Sequence, residues 1–286
     1  MKKQLTRKKC RSLRDQGVLD NDTNLTNKFY PRGIQPKTDS QHQVFESYNC
    51  GQHMFLFGSA GTGKTFLPLY LAIRDVLDDR HEKIIIVRSA VPTRNIGFLP
   101  GDINEKGEVY EEAYKHLVGE MFNKKDAYDI LKGKMKIEFT LTSFLRGKTM
   151  DNCIILMDEC QSATEHEIST VLTRVGYNTR VILAGDMRQN DLTREESGFV
   201  NIYNTLNRMN SVDLIEFTTK DIVRSGFVKE FIEAQEIIHD QNLQGRSSRT
   251  TTGREGTWPG REEVLPPIRH KERTMALGDK RLIGAA

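Results

Sequence analysis

Lys64 and Thr65 close a run that reads Gly58, Ser59, Ala60, Gly61, Thr62, Gly63, Lys64, Thr65, the G-x-x-x-x-G-K-[ST] spacing of a Walker A loop. These residue types suit a polyphosphate. Gly58, Gly61 and Gly63 let the backbone curl until successive N–H groups point inward at phosphate oxygens. The Lys64 ammonium reaches the β- and γ-phosphates, and the Thr65 hydroxyl ligates Mg²⁺. A helix starting behind the loop adds the positive end of its dipole. Further along the chain, Ile154, Ile155, Leu156 and Met157 run into Asp158 and Glu159. Such a strand end is a Walker B: Asp158 would face the Mg²⁺ held by Thr65, and Glu159 could polarise an attacking water. A carboxylate pair at a strand end is common by chance. Together with the loop upstream it is specific, and the two imply a nucleoside triphosphate site.

The elements that must position these groups show as an alternation of strands and helices. Apolar residues 54–57 form the strand that delivers Gly58. Ahead of it, Thr38 and Gln41 make a capping box for a helix over residues 41–48. A Gln just upstream of such a strand is also where several helicase-like ATPases recognise adenine, and both readings fit Gln41. The helix after the loop spans 65–78, with Pro68 just past its first turn, where a kink and not a break is expected. Residues 83–87 are continuous and β-branched, as in a strand buried on both faces of a parallel sheet. They lead into a long loop, 88–102, with Arg88 and Arg94 at a strand's C-terminal end, where open α/β sheets bind ligands. Tyr110, Ala113, Tyr114, Leu117, Val118 and Met121 then share one face of a helix. Lys124, Lys125, Lys132, Lys134 and Lys136, with Tyr128 among them, are either a basic patch or an exposed helix end. Strands follow at 137–141 and 180–184, the latter reaching Gly185 and then Gln189. A polar side chain there can touch the γ-phosphate, or the segment is a plain turn. A helix at 197–209, a last strand at 212–217 and a helix at 226–238 complete the pattern.

Charge divides the chain into three. The formal net charge is +3, but residues 1–14 carry seven Lys or Arg and no acid, and residues 245–286 carry nine basic against five acidic residues. The part between is net acidic, so a nucleic-acid footprint must be a local patch or an arm. The expected layout is a basic, mostly flexible arm at 1–33, a nucleotide-binding domain at 34–240, and a disordered basic tail at 241–286. Cys10, Cys50, Cys153 and Cys160 form no CxxC pair, which favours a reducing cytoplasm. No apolar stretch approaches the ~18 residues of a membrane span. The histidines lack zinc spacing.

Taken in order, Pro36, Lys37, Thr38 and Gln41, the loop 58–65, Val87 and Arg88, the run 97–102, the run 144–149, Leu156 to Glu159 with Gln161, Gly185 and Asp186 with Gln189, and Ile222 to Arg224 resemble the PhoH-like (phosphate-starvation-inducible) P-loop ATPases, relatives of superfamily 1 helicases. The resemblance covers roughly residues 34–238. It implies an α/β, RecA-like P-loop NTPase, with a mostly parallel sheet flanked by helices on both faces. It also implies ATP and Mg²⁺ as cofactors, nucleotide roles for Gln41, Asp158, Glu159, Gln189 and Arg224, and RNA or single-stranded nucleic acid as partner. Some relatives carry nuclease or RNA-binding domains. Roughly 35 residues precede the first motif, too few for either, so no nuclease activity is expected. The short form resembles copies carried by bacteriophages, which would place it in a bacterial cytoplasm, with no membrane partner.

A Mg²⁺-dependent ATPase is the leading expectation. A slow nucleotide-gated switch protein is the alternative, and a small-molecule kinase fits the Asp158–Glu159 pair least well. One Walker A and one Walker B leave room for one core, so a homo-oligomer, hexameric in relatives, would supply the second surface of a motor. Arg224, just after the last strand, is the expected arginine finger, acting on a neighbouring subunit; the alternatives are action within its own subunit or a helix cap.

Overall fold

The computed structural model describes residues 29–89, 103–145, 147, 149–186 and 198–247. Within them the strands are β1 (His53–Gly58), β2 (Lys83–Arg88), β3 (Ile137–Leu141), β4 (Cys153–Met157), β5 (Arg180–Gly185) and β6 (Val212–Phe217). The helices are α1 (Asp39–Asn49), α2 (Phe66–Leu77), α3 (Ile103–Phe122), α4 (Ala127–Gly133), α5 (Glu165–Leu172), α6 (Phe199–Leu206) and α7 (Gly226–Ser247). The strands make one sheet in the order β3-β2-β4-β5-β1-β6, and every pairing is parallel.

The two-residue period of the strands sorts their side chains into two cores. Met54 and Leu56, Ile84 and Ile86, Ile154 and Leu156 face one side, under Val44 of α1, Leu69 and Ile73 of α2, Tyr114 and Val118 of α3, and Leu131 of α4. Phe55 and Phe57, Ile85 and Val87, Ile155 and Met157 face the other, under Ile168 of α5 and Phe199 and Tyr203 of α6. Burying one such side chain is worth about 1.5–3 kcal/mol, more than a typical polar contact, so the two cores hold the strand ends in place. Register then fixes which ends meet. Val87 pairs with Met157, and Asp158 N donates to Val87 O at 3.0 Å, so Arg88 and Asp158 emerge side by side.

Pro68 is the third residue of α2, among the first four N–H positions that lack an intrahelical partner, and the helix continues through it. Two features depart from the sequence reading. α5 was not expected: it is short, buries only Ile168 and Val171, and depends on a capping box between Thr164 and Glu167. α7 runs to Ser247 and not to residue 238, because Gln and Leu continue it before Gly245 weakens it. The lysines at 124–136 are largely paired within the chain. Lys132 meets buried Glu111 at 2.6 Å, Lys136 meets Asp79 at 3.1 Å and Lys124 meets Asp126 at 3.6 Å. Lys124 and Lys134 also approach the Phe29 ring. Residues Ala127–Gly133 form α4, tied to α3 by Lys132 and Tyr128 on Glu111, while Lys124, Lys125, Lys132 and Lys134 stay exposed, as an exposed helix end would have them.

Candidate nucleotide-binding site

β1 ends at Gly58 because nothing larger fits. A Cβ there would lie 1.9 Å from the Phe217 carbonyl oxygen, and φ is +116°. The same oxygen accepts from Ser59 N at 2.9 Å, which pins the start of the loop to the end of β6. The turn is closed from within by Thr62 Oγ1, which donates to Ser59 O at 3.0 Å. Gln41 closes it from outside: its Nε2 donates to Thr62 O at 3.0 Å, and its Oε1 accepts from Lys37 N at 2.8 Å. Ser59, Ala60, Gly61, Thr62 and Gly63 thus carry the chain from β1 to α2 as a fixed curl.

Lys64 lies inside that curl, donating to the carbonyls of Gly58 at 2.6 Å and Ser59 at 2.5 Å. Burial lowers its pKa, while Asp186, Glu159 and Asp158 act the other way. Thr65 Oγ1 donates to Asp158 Oδ1 at 2.8 Å, so the two expected metal ligands already touch. A hydroxyl and a carboxylate oxygen are the hard donors that Mg²⁺ takes, and the pair fits that ion.

Asp158 is also held from behind, a contact that sequence reasoning missed. The buried Tyr114 hydroxyl donates to Asp158 Oδ2 at 2.9 Å. Burial, and then the Asp158 charge, push the Tyr114 pKa well above its ordinary value. The signal was an aromatic with a polar tip on an apolar helix face, which usually means core and here also means a donor. Glu159 adopts the left-handed conformation, φ 52° and ψ 42°, an uncommon backbone for a non-glycine residue. Burial and the adjacent Asp158 raise its pKa, against Arg88, Gln161 and Lys64. Gln161 Nε2 donates to Glu159 Oε2, and its Oε1 accepts from Asp186 N at 2.9 Å. The end of β5 is thereby bonded to the Walker B pair. Cys160 beside them is fully buried, and burial pushes its thiol pKa well up, so it is an inert packing group.

The segment after β6 returns to the loop. Asp221 accepts from Thr218 N at 2.9 Å and Ser40 Oγ at 3.1 Å, which fixes the chain leading to Arg224 against α1. Val223 N donates to Gly61 O at 3.2 Å, and a Cβ on Gly61 would lie 3.0 Å from Arg224 Cγ. Arg224 therefore lies across its own loop. α7 follows with Ile232 near Gly61 and with Glu236 accepting from Ser59 Oγ at 2.6 Å. Of the residues expected at the site, Gln41, Gly58 to Thr65, Asp158, Glu159 and Arg224 come together. Gln189 and Arg94 lie outside the described residues, as do the basic cluster of residues 1–14 and the tail beyond 247.

A phosphate loop after β1, a carboxylate pair after β4 and β5 inserted between those strands define a RecA-like P-loop NTPase of the α/β class. The sequence model of the family described as PhoH-like protein matches residues 33–236, and the chain belongs to that family. PhoH-like proteins of Synechocystis sp. and Bacillus subtilis are 31% and 30% identical over 205 and 212 residues, covering 71% and 73% of this chain and 62% and 66% of theirs. Protein PhoH of Escherichia coli is 29% identical over 204 residues, 70% of this chain and 58% of its own. The chain thus spans less than two thirds of the length of these curated relatives. Among solved structures, Pif1 helicase from Candida albicans aligns with 79% of this chain and 51% of its own at 17% identity and a TM-score of 0.37. The helicase MrfA bound to DNA aligns with 75% and 33% at 11% identity and a TM-score of 0.38. Among the described residues, no helix is long and apolar enough to cross a membrane.

Proposed function

We propose that the protein is a Mg²⁺-dependent ATPase whose hydrolysis is coupled to RNA or single-stranded nucleic acid. One observation carries the hydrolytic part: Thr65, Asp158 and Glu159 converge beside Lys64 at the mouth of a loop built for phosphates. Thr65 and Asp158 would hold Mg²⁺, which would supply positive charge against the phosphates. The loop N–H groups and Lys64 take the remaining phosphate charge, and Lys64 leaves the Gly58 and Ser59 carbonyls to do so. Glu159 accepts a proton from water as the water oxygen bonds to the γ-phosphorus and the bond to the leaving ADP oxygen breaks. Gln161 holds the Glu159 carboxylate in place through one oxygen. Gln189 is proposed as the group that contacts the γ-phosphate.

Support for the nucleic-acid part is the order of the family motifs and the basic residues of 1–14. A closed ring of subunits, which the resemblance implies, would provide the second surface a motor needs. Cys50, Cys153 and Cys160 are buried cysteines, which suits a reducing bacterial cytoplasm.

A second reading has its own observation. Glu236 on Ser59 sets a carboxylate on the phosphate loop, as a nucleotide-operated gate would require. ATP hydrolysis measured with and without single-stranded RNA, with Lys64→Ala as the blank, separates the two. Stimulation by RNA supports the coupled ATPase. Slow turnover that RNA leaves unchanged favours the gate.

A further inference from the structure

Tyr114 belongs to neither phosphate motif, yet its side chain ends on one of them. Asp158 has two carboxylate oxygens, and among the described residues Oδ1 accepts from Thr65 Oγ1 at 2.8 Å and Oδ2 from the Tyr114 hydroxyl at 2.9 Å. Both Asp158 and Tyr114 are buried, at 6% and 1% exposure, so solvent does not replace the bond between them.

We propose that Tyr114 is a positioning residue for the divalent cation: it holds Oδ2 of Asp158 so that Oδ1 stays turned to the Thr65 side, where the metal binds. The proposal rests on the reading of this site as a Mg²⁺–nucleotide site. An O–H···O⁻ bond is charge-assisted, and turning the carboxylate would break it inside the protein. The tyrosine itself cannot withdraw. Its ring packs on Phe139, centroids 5.8 Å apart, and Val118 and Met121 on the next turns of α3 are fully buried. One turn earlier the Tyr110 ring lies under the Arg88 guanidinium at 4.8 Å, and Arg88 is the cation that faces Asp158 and Glu159 from β2. α3 therefore supports the metal side of the site twice, although it contributes no residue to the nucleotide motifs.

A tyrosine that only packs would leave Mg²⁺ affinity untouched, and that separates the two roles. Tyr114→Phe keeps the ring and removes the donor. Tyr114→His keeps a ring with an N–H donor. The full chain is titrated with Mg²⁺ while binding of a fluorescent, non-hydrolysable ATP analogue is followed, with melting temperature as the check on folding. In Tyr114→Phe the half-saturating Mg²⁺ concentration should rise about tenfold, the usual effect of losing a partner behind a metal ligand. Tyr114→His should recover part of that loss, and Tyr110→Phe, which keeps its stack on Arg88, should not move the Mg²⁺ dependence. Unchanged Mg²⁺ dependence in folded Tyr114→Phe overturns the proposal, as does an equal loss in Tyr114→Phe and Tyr114→His. Wild-type binding of the analogue that ignores Mg²⁺ would instead overturn the reading of the site on which the proposal rests.

Discussion

Gln41 donates to the Thr62 carbonyl and accepts from Lys37 N, so both ends of its amide are bonded to the chain and the residue is 3% exposed. The family resemblance assigns Gln41 to adenine recognition. In this geometry it clamps the phosphate loop, which every nucleoside triphosphate shares. Gln41→Ala should therefore weaken ATP and GTP binding alike, by about tenfold for two buried hydrogen bonds. A loss confined to ATP, measured as the ratio of the two dissociation constants, would return Gln41 to base reading.

Glu236 places a carboxylate against Ser59, where a triphosphate brings its own negative charge. Glu236→Gln should keep the hydrogen bond and remove the repulsion, tightening ATP by about two- to fivefold at low salt, the scale of a partly exposed charge pair. The gain should shrink as salt is added. Weaker binding by Glu236→Gln in a calorimetric titration would show that the contact assists the nucleotide.

At the opposite end of the sheet, Asp75 accepts from Tyr48 at 3.0 Å and Arg80 at 3.1 Å, and faces His81 and Arg180. Burial alone would raise its pKa, but the His81 bond, Arg180, Tyr48 and Arg80 together hold it below the ordinary value of 3.8. A folded pKa below the unfolded one gives stability that is complete above the unfolded value and is lost as pH falls through the folded one. The wild type should thus lose this contribution below about pH 4. Asp75→Asn should be destabilised by about 2–3 kcal/mol at pH 7 and show a flatter dependence below pH 4. Parallel urea-unfolding curves at pH 7 and pH 3.5 check it, and equal slopes in the two proteins would contradict it.

Much of this site could be read before the fold was seen, because its parts are local. Gly58 to Thr65 and Ile154 to Glu159 each carry a residue order that one strand end and one turn suffice to position. The supporting contacts were not local. Tyr114 reaches Asp158 across 44 positions and Glu236 reaches Ser59 across 177, and neither has a periodic signature. α5 stayed hidden for a different reason. With eight residues it is too short to show a 3.6-residue period, and its start depends on the Thr164–Glu167 pair. Most lysines of 124–136 are exposed, as read, but their pairing was not legible because the acidic partners of Lys132 and Lys136, Glu111 and Asp79, lie outside the segment.

Arg224 was expected to act on a neighbouring subunit. Its side chain lies against Gly61 of its own loop, with Val223 bonded to the Gly61 carbonyl. From that placement we propose action within its own subunit. Arg224→Ala should lower ATP hydrolysis by a factor on the order of 10³ if the guanidinium reaches the γ-phosphate. Mixing Arg224→Ala with Lys64→Ala subunits should recover no activity beyond the sum of the two. Recovery in the mixture would establish a shared site and with it the ring.

In the proposed hydrolysis, Glu159 activates the water at a site assembled by Lys64, Thr65 and Asp158. Single-turnover hydrolysis of ATP by Glu159→Gln, with ATP binding measured on the same sample, tests it most directly. Binding should stay within about twofold of wild type, and the chemical step should slow by about 10²- to 10⁴-fold, the range for loss of a general base. Hydrolysis at the wild-type rate by Glu159→Gln would show that another group activates the water.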